Sequence, residues 1–199
     1  MKKANHSLIM TLCTEISPKD IARSILKKKR SALSLERRKK AYSDLNVTLL
    51  PLLKSYKTIL SFYNLPEEID VSFVNRILAE EGKLLLPKVQ EGALMQIYQV
   101  KNLSSELLRS KWGLLEPDPS KCLLIDIKNT DCILVPGLGF DIHHHRIGYG
   151  KGHYDQLLAE CAERSLFPKT IGLGFKEQYC ENGLPHEPHD KQVDELKLF

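Results

Sequence analysis

The sequence predicts one three-layer α/β domain, a mostly parallel sheet with helices on both faces. Three observations point there. Short apolar runs such as Asp131-Cys132-Ile133-Leu134-Val135-Pro136 read as strands buried on both sides. Segments with helical apolar spacing fall between such runs, so strand and helix alternate. The chain has 199 residues, 42% apolar and 27% charged, which suits a single sizeable core and excludes wholesale disorder.

In chain order, residues 1–16 are expected to be a flexible extension and residues 17–199 the domain. Ser17-Pro18-Lys19-Asp20 is a helix start: a capping hydroxyl, a first-turn proline and an acid three residues on. That helix should run to about Arg30 with Ile21, Ala22 and Ile25 as its apolar stripe. Ser34 restarts a second helix whose Ala41, Leu45, Leu49, Leu52 and Leu53 keep helical spacing. Thr58–Tyr63 reads as a strand, and Val71–Glu81 as a helix stopped by Gly82. Leu84–Leu86 and Met95–Val100 are further strands. The stretch from Trp112 to Asp118, with Gly113 and Pro117 and a further proline just beyond it, reads as loop. After the strand at 131–136 come a helix over Tyr154–Glu163, a strand at Thr170–Leu173 and a last strand within Val193–Phe199. No linker rich in glycine, proline or serine divides the chain.

The formal charge of +4 is unevenly placed. Residues 19–40 hold ten cations against Asp20 and Glu36, a local +8, so the other 177 residues sum to −4. Such a stripe suits nucleic acid, an anionic surface, a phosphorylated small molecule or a solvated helix face. No apolar run approaches the roughly 20 residues of a membrane span. The start, Met1-Lys2-Lys3 then Leu8-Ile9-Met10, is too short and polar for a secretory signal, which predicts a cytoplasmic protein. Five scattered cysteines without a CxxC pair fit neither a disulfide framework nor a zinc site.

Chemistry concentrates between Pro136 and Asp155. Gly148, Gly150 and Gly152 alternate in a loop bracketed by Arg146 and Lys151, with a helix starting just after. Glycines, cations and a helix N-terminus at the end of a strand make a phosphate cradle. It is neither a Walker A loop nor a dinucleotide fingerprint, whose residues are spaced differently. Asp141, Asp155 and Asp190 are the carboxylates that could hold Mg²⁺ beside bound phosphates. Asp155 alone would also serve as a dipole partner in a first helical turn. His143–His145 read as a solvated loop, because three consecutive side chains do not easily face one ion.

The stretch Val135–Asp141 followed by Arg146–Asp155 (RIGYGKGHYD) resembles the signature of the 5-formyltetrahydrofolate cyclo-ligase family. Further stretches resemble it in order. They are Lys19 with Arg23, Tyr63 with Glu68, Trp112 with Glu116-Pro117, Phe175–Gln178, His189-Asp190 and Val193-Asp194. The resemblance implies a monomeric ligase that uses ATP and Mg²⁺ to close 5-formyltetrahydrofolate, with or without a polyglutamate tail, to the 5,10-methenyl form. It implies ATP contacts from Lys19, Asp20, Ile21, Ala22 and Arg23 and from the loop Arg146, Ile147, Gly148, Tyr149, Gly150, Lys151, Gly152, His153 and Tyr154. Arg146 and Lys151 would be the catalytic cations, and Asp155 and Asp190 the Mg²⁺ positions. Tyr63, Glu68 and the loop residues 149–153 would meet the folate. Two departures stand out. His144 occupies a usual glycine, so the turn takes another path or an uncommon φ, and His153 replaces the first of two tyrosines. On this reading only Lys19 and Arg23 of the ten clustered cations touch substrate, while Lys27–Arg30 and Arg37–Lys40 are solvated faces. A nucleic-acid module built on residues 19–40 is the rival from another class, although that segment lacks interleaved aromatics. A relative with altered activity is the second alternative.

Overall fold

The Ser17 hydroxyl accepts the Asp20 N–H at 3.1 Å and Pro18 fills the first turn, so α1 (Pro18–Ser31) starts where its capping residues place it. The computed structural model describes residues 16–89, 94–110 and 113–199. The expected extension, apart from Ile16, therefore lies outside the described residues, as does Trp112. Ser34 caps α2 (Leu35–Leu53), which buries Ala41, Leu45, Leu49 and Leu53. There follow β1 (Ile59–Leu60), α3 (Ser72–Glu80), β2 (Leu84–Lys88) and β3 (Gln96–Gln99). Next come β4 (Leu107–Arg109), β5 (Leu115–Pro117), β6 (Leu123–Ile125) and β7 (Cys132–Pro136). The chain ends with β8 (Gly139–Asp141), β9 (Arg146–Ile147), α4 (His153–Glu163), β10 (Lys169–Gly174), β11 (Tyr179–Cys180) and β12 (Glu195–Leu198).

Seven strands form the main sheet in the order β12-β10-β7-β1-β2-β3-β6. The first five are mutually parallel, and β3 and β6 add antiparallel edges. Successive residues of each central strand point to opposite layers, as a two-residue period requires. Ile59, Leu84, Leu86 and Leu134 pack with α2 and α3, whereas Leu60, Leu85, Ile133 and Val135 pack with Leu157, Leu158 and Cys161 of α4. Both faces are thus covered, and the predicted three-layer arrangement stands. Among the described residues, no helix is long and apolar enough to cross a membrane.

Three expectations need correction. Ile21 and Ile25 are half exposed, at 50% and 51%, and α1 instead buries Leu26 and Arg30. The helix lies over the small β8–β9–β11 sheet rather than the main core, and Leu26 seats among Leu138, Ile147 and Leu184. Gly139 permits this approach, since a Cβ there would stand 2.5 Å from Leu26. The stretch around Leu115–Pro117 is a strand paired with β4, closed by a turn at Gly113 (φ 80°). Pro117 is tolerated because a two-stranded sheet has only edges. The cations of α1 and α2 are not uniformly solvated either: Arg30 is 2% exposed, and Arg37 and Arg38 bond backbone oxygens.

Candidate active site

Strand order reverses between β1 and β7: β1 continues through α3 to β2 on one side, β7 through α4 to β10 on the other. Segments leaving the carboxyl ends of these neighbours diverge there and open a crevice, the usual ligand position in such sheets. A cleft of about 490 Å³ occupies it, walled by the stretch after β1, the loop after β9 and the turn at 187–190. It has a cationic end and a more apolar end.

At the cationic end, Gly152 (φ 69°) begins α4, and no side chain caps the helix. The first N–H groups of α4 therefore lack an intrahelical acceptor and face an anion-friendly dipole. Among the described residues, no carboxylate pairs with Lys151, which stands beside them. The other cations are paired. Arg146 is 8% exposed and meets Asp155 at 3.0 Å, while its Nε has no hydrogen-bond partner among the described residues. Lys19 Nζ lies 2.7 Å from Asp190 and 2.8 Å from Glu187. Burial would lower the Lys19 pKa, but these two carboxylates win and raise it. The Asp190 carboxyl is pushed up by burial, yet Lys19 and the Glu187 N–H hold it below the usual range. Arg23 Nε donates to the Gly148 carbonyl at 3.1 Å and so ties α1 to the glycine loop.

At the other end, Glu68 is 9% exposed. Its Oε2 accepts the Leu65 N–H at 2.8 Å and its Oε1 accepts the Tyr149 hydroxyl at 2.9 Å. Burial, then Glu68, pushes the Tyr149 phenol well above its ordinary value, and Tyr154 is raised for the same two reasons. Among the described residues the buried Tyr154 hydroxyl has no hydrogen-bond partner, and its ring lies 5.5 Å from the Arg146 guanidinium. Burial, then the Lys151 charge, lowers the His153 pKa and so favours its neutral imidazole. Phe62, Leu65, Pro87 and Met95 complete an apolar wall.

The cleft gathers most of the residues singled out from the sequence: Lys19, Arg23, Tyr63, Glu68, Arg146 through Asp155, and Asp190. Asp20, Ile21 and Ala22 are not among its walls; Asp20 holds the Arg23 guanidinium, Ile21 faces solvent and Ala22 packs beside Leu26. Asp141 is fully buried and accepts the N–H groups of His143, His145 and Leu184, so it shapes the hairpin turn and leaves the cleft to Asp155 and Asp190. His143–His145 are not simply solvated: His145 stacks on His186 at 4.1 Å, and His144 Nδ1 contacts the Val193 carbonyl at 3.1 Å. His144 does adopt φ 63°, the uncommon value that replacing glycine demanded. Glu187 was missed, though it stands three residues before Asp190 in one turn and its N–H bonds that carboxylate. The apolar wall carried no sequence signal, because leucines and prolines there look like any core.

Oxygen donors suit Mg²⁺: Asp155, Asp190 and the nearby Glu187 bring hard ligands to the rim of the cleft. The uncapped α4 start and free Lys151 suit a polyphosphate.

The family model described as the 5-formyltetrahydrofolate cyclo-ligase family matches residues 15–197. The chain is 30% identical over 197 residues to a 5-formyltetrahydrofolate cyclo-ligase of Mus musculus, covering 94% of this chain and 96% of that one. It is 32% identical over 167 residues to a probable 5-formyltetrahydrofolate cyclo-ligase of Schizosaccharomyces pombe, covering 75% and 78%. The solved structure of an Aquifex aeolicus 5,10-methenyltetrahydrofolate synthetase superposes with a TM-score of 0.73 at 30% identity, covering 90% and 89%. One from Mycoplasma pneumoniae, at 23% identity and a TM-score of 0.69, shares the fold.

Proposed function

The chain belongs to the 5-formyltetrahydrofolate cyclo-ligase family of ligases, and from that premise we propose that it closes 5-formyltetrahydrofolate to the 5,10-methenyl form at the expense of ATP. The observation that carries the reading is one cleft with an uncapped helix start and a free Lys151 at one end and the buried Glu68 carboxylate at the other. Each end matches one substrate.

A formamide carbon is a poor electrophile and its oxygen a poor leaving group. Attack of the formyl oxygen on the γ-phosphorus forms an O–P bond and releases ADP, which turns that oxygen into a leaving group. N10 then attacks the formyl carbon, forming the new C–N bond. The C–O bond breaks, inorganic phosphate departs, and the N10 proton goes to solvent. Such phosphoryl transfer needs positioning and charge neutralisation more than a strong base. Lys151, Arg146 and the α4 N–H groups neutralise the phosphates, with Lys19 and Arg23 reaching them from α1. Asp155 and Asp190 would hold Mg²⁺, which when bound offsets phosphate charge. Glu68 accepts hydrogen bonds from pterin ring nitrogens, while Tyr63, Tyr149 and the apolar wall flank the ring system.

Protein mixed with 5-formyltetrahydrofolate, ATP and Mg²⁺ should generate the near-ultraviolet absorbance of the methenyl product. A folded protein giving no product between pH 5 and 9 would end the ATP-driven reading. Lys151→Ala should raise the KM for ATP more than that for folate; the opposite order removes the cradle from Lys151.

A further inference from the structure

We propose that Arg30 is a positioning residue of the folate end, holding Tyr149 and, through its hydroxyl, the Glu68 carboxylate; this rests on Glu68 being a folate ligand. Lys19, Arg23, Lys27 and Arg30 are spaced by four, four and three residues, so they share one stripe of α1. Its first two members line the cleft, and its last two lie against Tyr149. Lys19 meets Asp190, Arg23 meets the Gly148 carbonyl, and Lys27 and Arg30 lie 5.8 and 5.5 Å from the Tyr149 ring.

Arg30 is the odd member. Its side chain is only 3% exposed, and among the described residues its sole ion pair is a long 3.6 Å contact to Glu67, while Nε and Nη1 lack hydrogen-bond partners. A guanidinium buried so incompletely paired is unfavourable for folding, so a role at the site accounts for it better than stability does. Its remaining partner is Tyr149, whose ring face attracts the cation and whose hydroxyl donates to Glu68. Tyr149 sits between Gly148 and Gly150 (φ 97°), on backbone with little stiffness of its own. Arg30 supplies the missing constraint. Around it the corner between α1 and α2 grips the same turn: Ser31 Oγ donates to Glu67 Oε1 at 3.1 Å, and Arg38 donates to the Glu67 and Arg30 carbonyls at 3.0 and 2.6 Å. Glu68 is thereby fixed from the backbone side by Leu65 and from the cleft side by Tyr149.

The experiment measures steady-state constants and equilibrium folate binding for Arg30→Met, Arg30→Lys, Tyr149→Phe and the Arg30→Met/Tyr149→Phe pair, with Glu68→Gln alongside. Arg30→Met should raise the folate Kd and KM about ten-fold and leave the KM for ATP unchanged. Arg30→Lys should recover most of that loss, and the double variant should be no worse than Tyr149→Phe alone. Additive losses, or equal rises in both KM values, would overturn the assignment. Should Arg30→Met fail to fold, Arg30→Gln takes its place: a folate-specific loss at unchanged melting temperature supports the proposal, and wild-type constants overturn it. Glu68→Gln separates the two layers. If it leaves folate binding intact, the Glu68 reading fails and Arg30 with it; if it weakens binding while Arg30→Met does not, only the Arg30 role is lost.

Discussion

Helices α1 and α2 carry similar runs of positive charge and use them differently. On α1, Lys19 and Arg23 line the cleft and meet Asp190 and the Gly148 carbonyl within it, while Lys27 and Arg30 lie against the cleft residue Tyr149. On α2, Arg37 makes a bidentate pair with Glu177 at 2.6 and 2.8 Å and donates to the Phe199 carbonyl, while Arg38 ties the Leu33 and Glu67 carbonyls. One helix turns charge toward the cleft, and the other fastens Glu177 and the Phe199 carbonyl to the body. Composition alone treats these cations as equivalent; the helical face on which each stands decides its use.

That contrast can be broken from the α1 side first, where effects are largest. Arg23→Ala removes a cleft cation, proposed above to reach phosphate, and the anchor of the Gly148 carbonyl together. It should lower kcat/KM for ATP about 100-fold, the scale on which misplaced binding groups act, with little change in melting temperature. Loss of stability without loss of catalysis would move Arg23 into the α2 class. Lys19→Ala should follow at about ten-fold in the KM for ATP. It leaves Asp190 and Glu187 without their cation, so the Asp190 pKa should climb back towards the ordinary range. An NMR titration of that carboxyl checks this independently of turnover.

From α2 the expectation reverses. Arg37→Ala should cost about 1–2 kcal/mol, a fall of about 3–6 °C in melting temperature for a chain of this size, with both KM values unchanged. A change in either KM would erase the distinction between the helices.

How far the sequence could be read follows the same line. Central strands were legible because Ile133, Leu134 and Val135 leave no polar face, and only a doubly covered strand tolerates that. Cleft residues of the glycine loop were legible because glycine, cation and helix start coincide in one stretch. The α1 stripe was half legible: Lys19 and Arg23 stood out, but the same spacing continues to Lys27 and Arg30. Nothing local showed that this end of the helix was covered rather than wet. Ile21 and Ile25 misled for the complementary reason, since a helix resting on the three-stranded sheet needs one Leu26, not a full apolar stripe. Strands β4, β5, β8, β9 and β11 are two or three residues long and owe their existence to partners distant in sequence or to a hairpin turn. Periodicity has nothing to act on at that length.

The smallest effect isolates the electrostatic part of the α2 clamp. Burial pushes the Glu177 carboxyl up, but the Arg37 hydrogen bond and charge outweigh it, and its pKa lies below the ordinary value. With the folded pKa below the unfolded one, its stabilisation is complete above the unfolded value near 4.3 and disappears as pH falls through the folded value. Wild type should therefore exceed Glu177→Gln in stability at pH 7 by under about 1 kcal/mol, because both side chains are partly solvated. The gap should narrow below about pH 4 and shrink in 1 M salt, because partly solvated charges are screened by ions. Urea midpoints of the two proteins at pH 7 and pH 3.5 measure it. A gap that survives both acid and salt would make the Arg37 clamp a matter of packing and neutral hydrogen bonds, leaving α1 as the helix whose charge, as charge, matters.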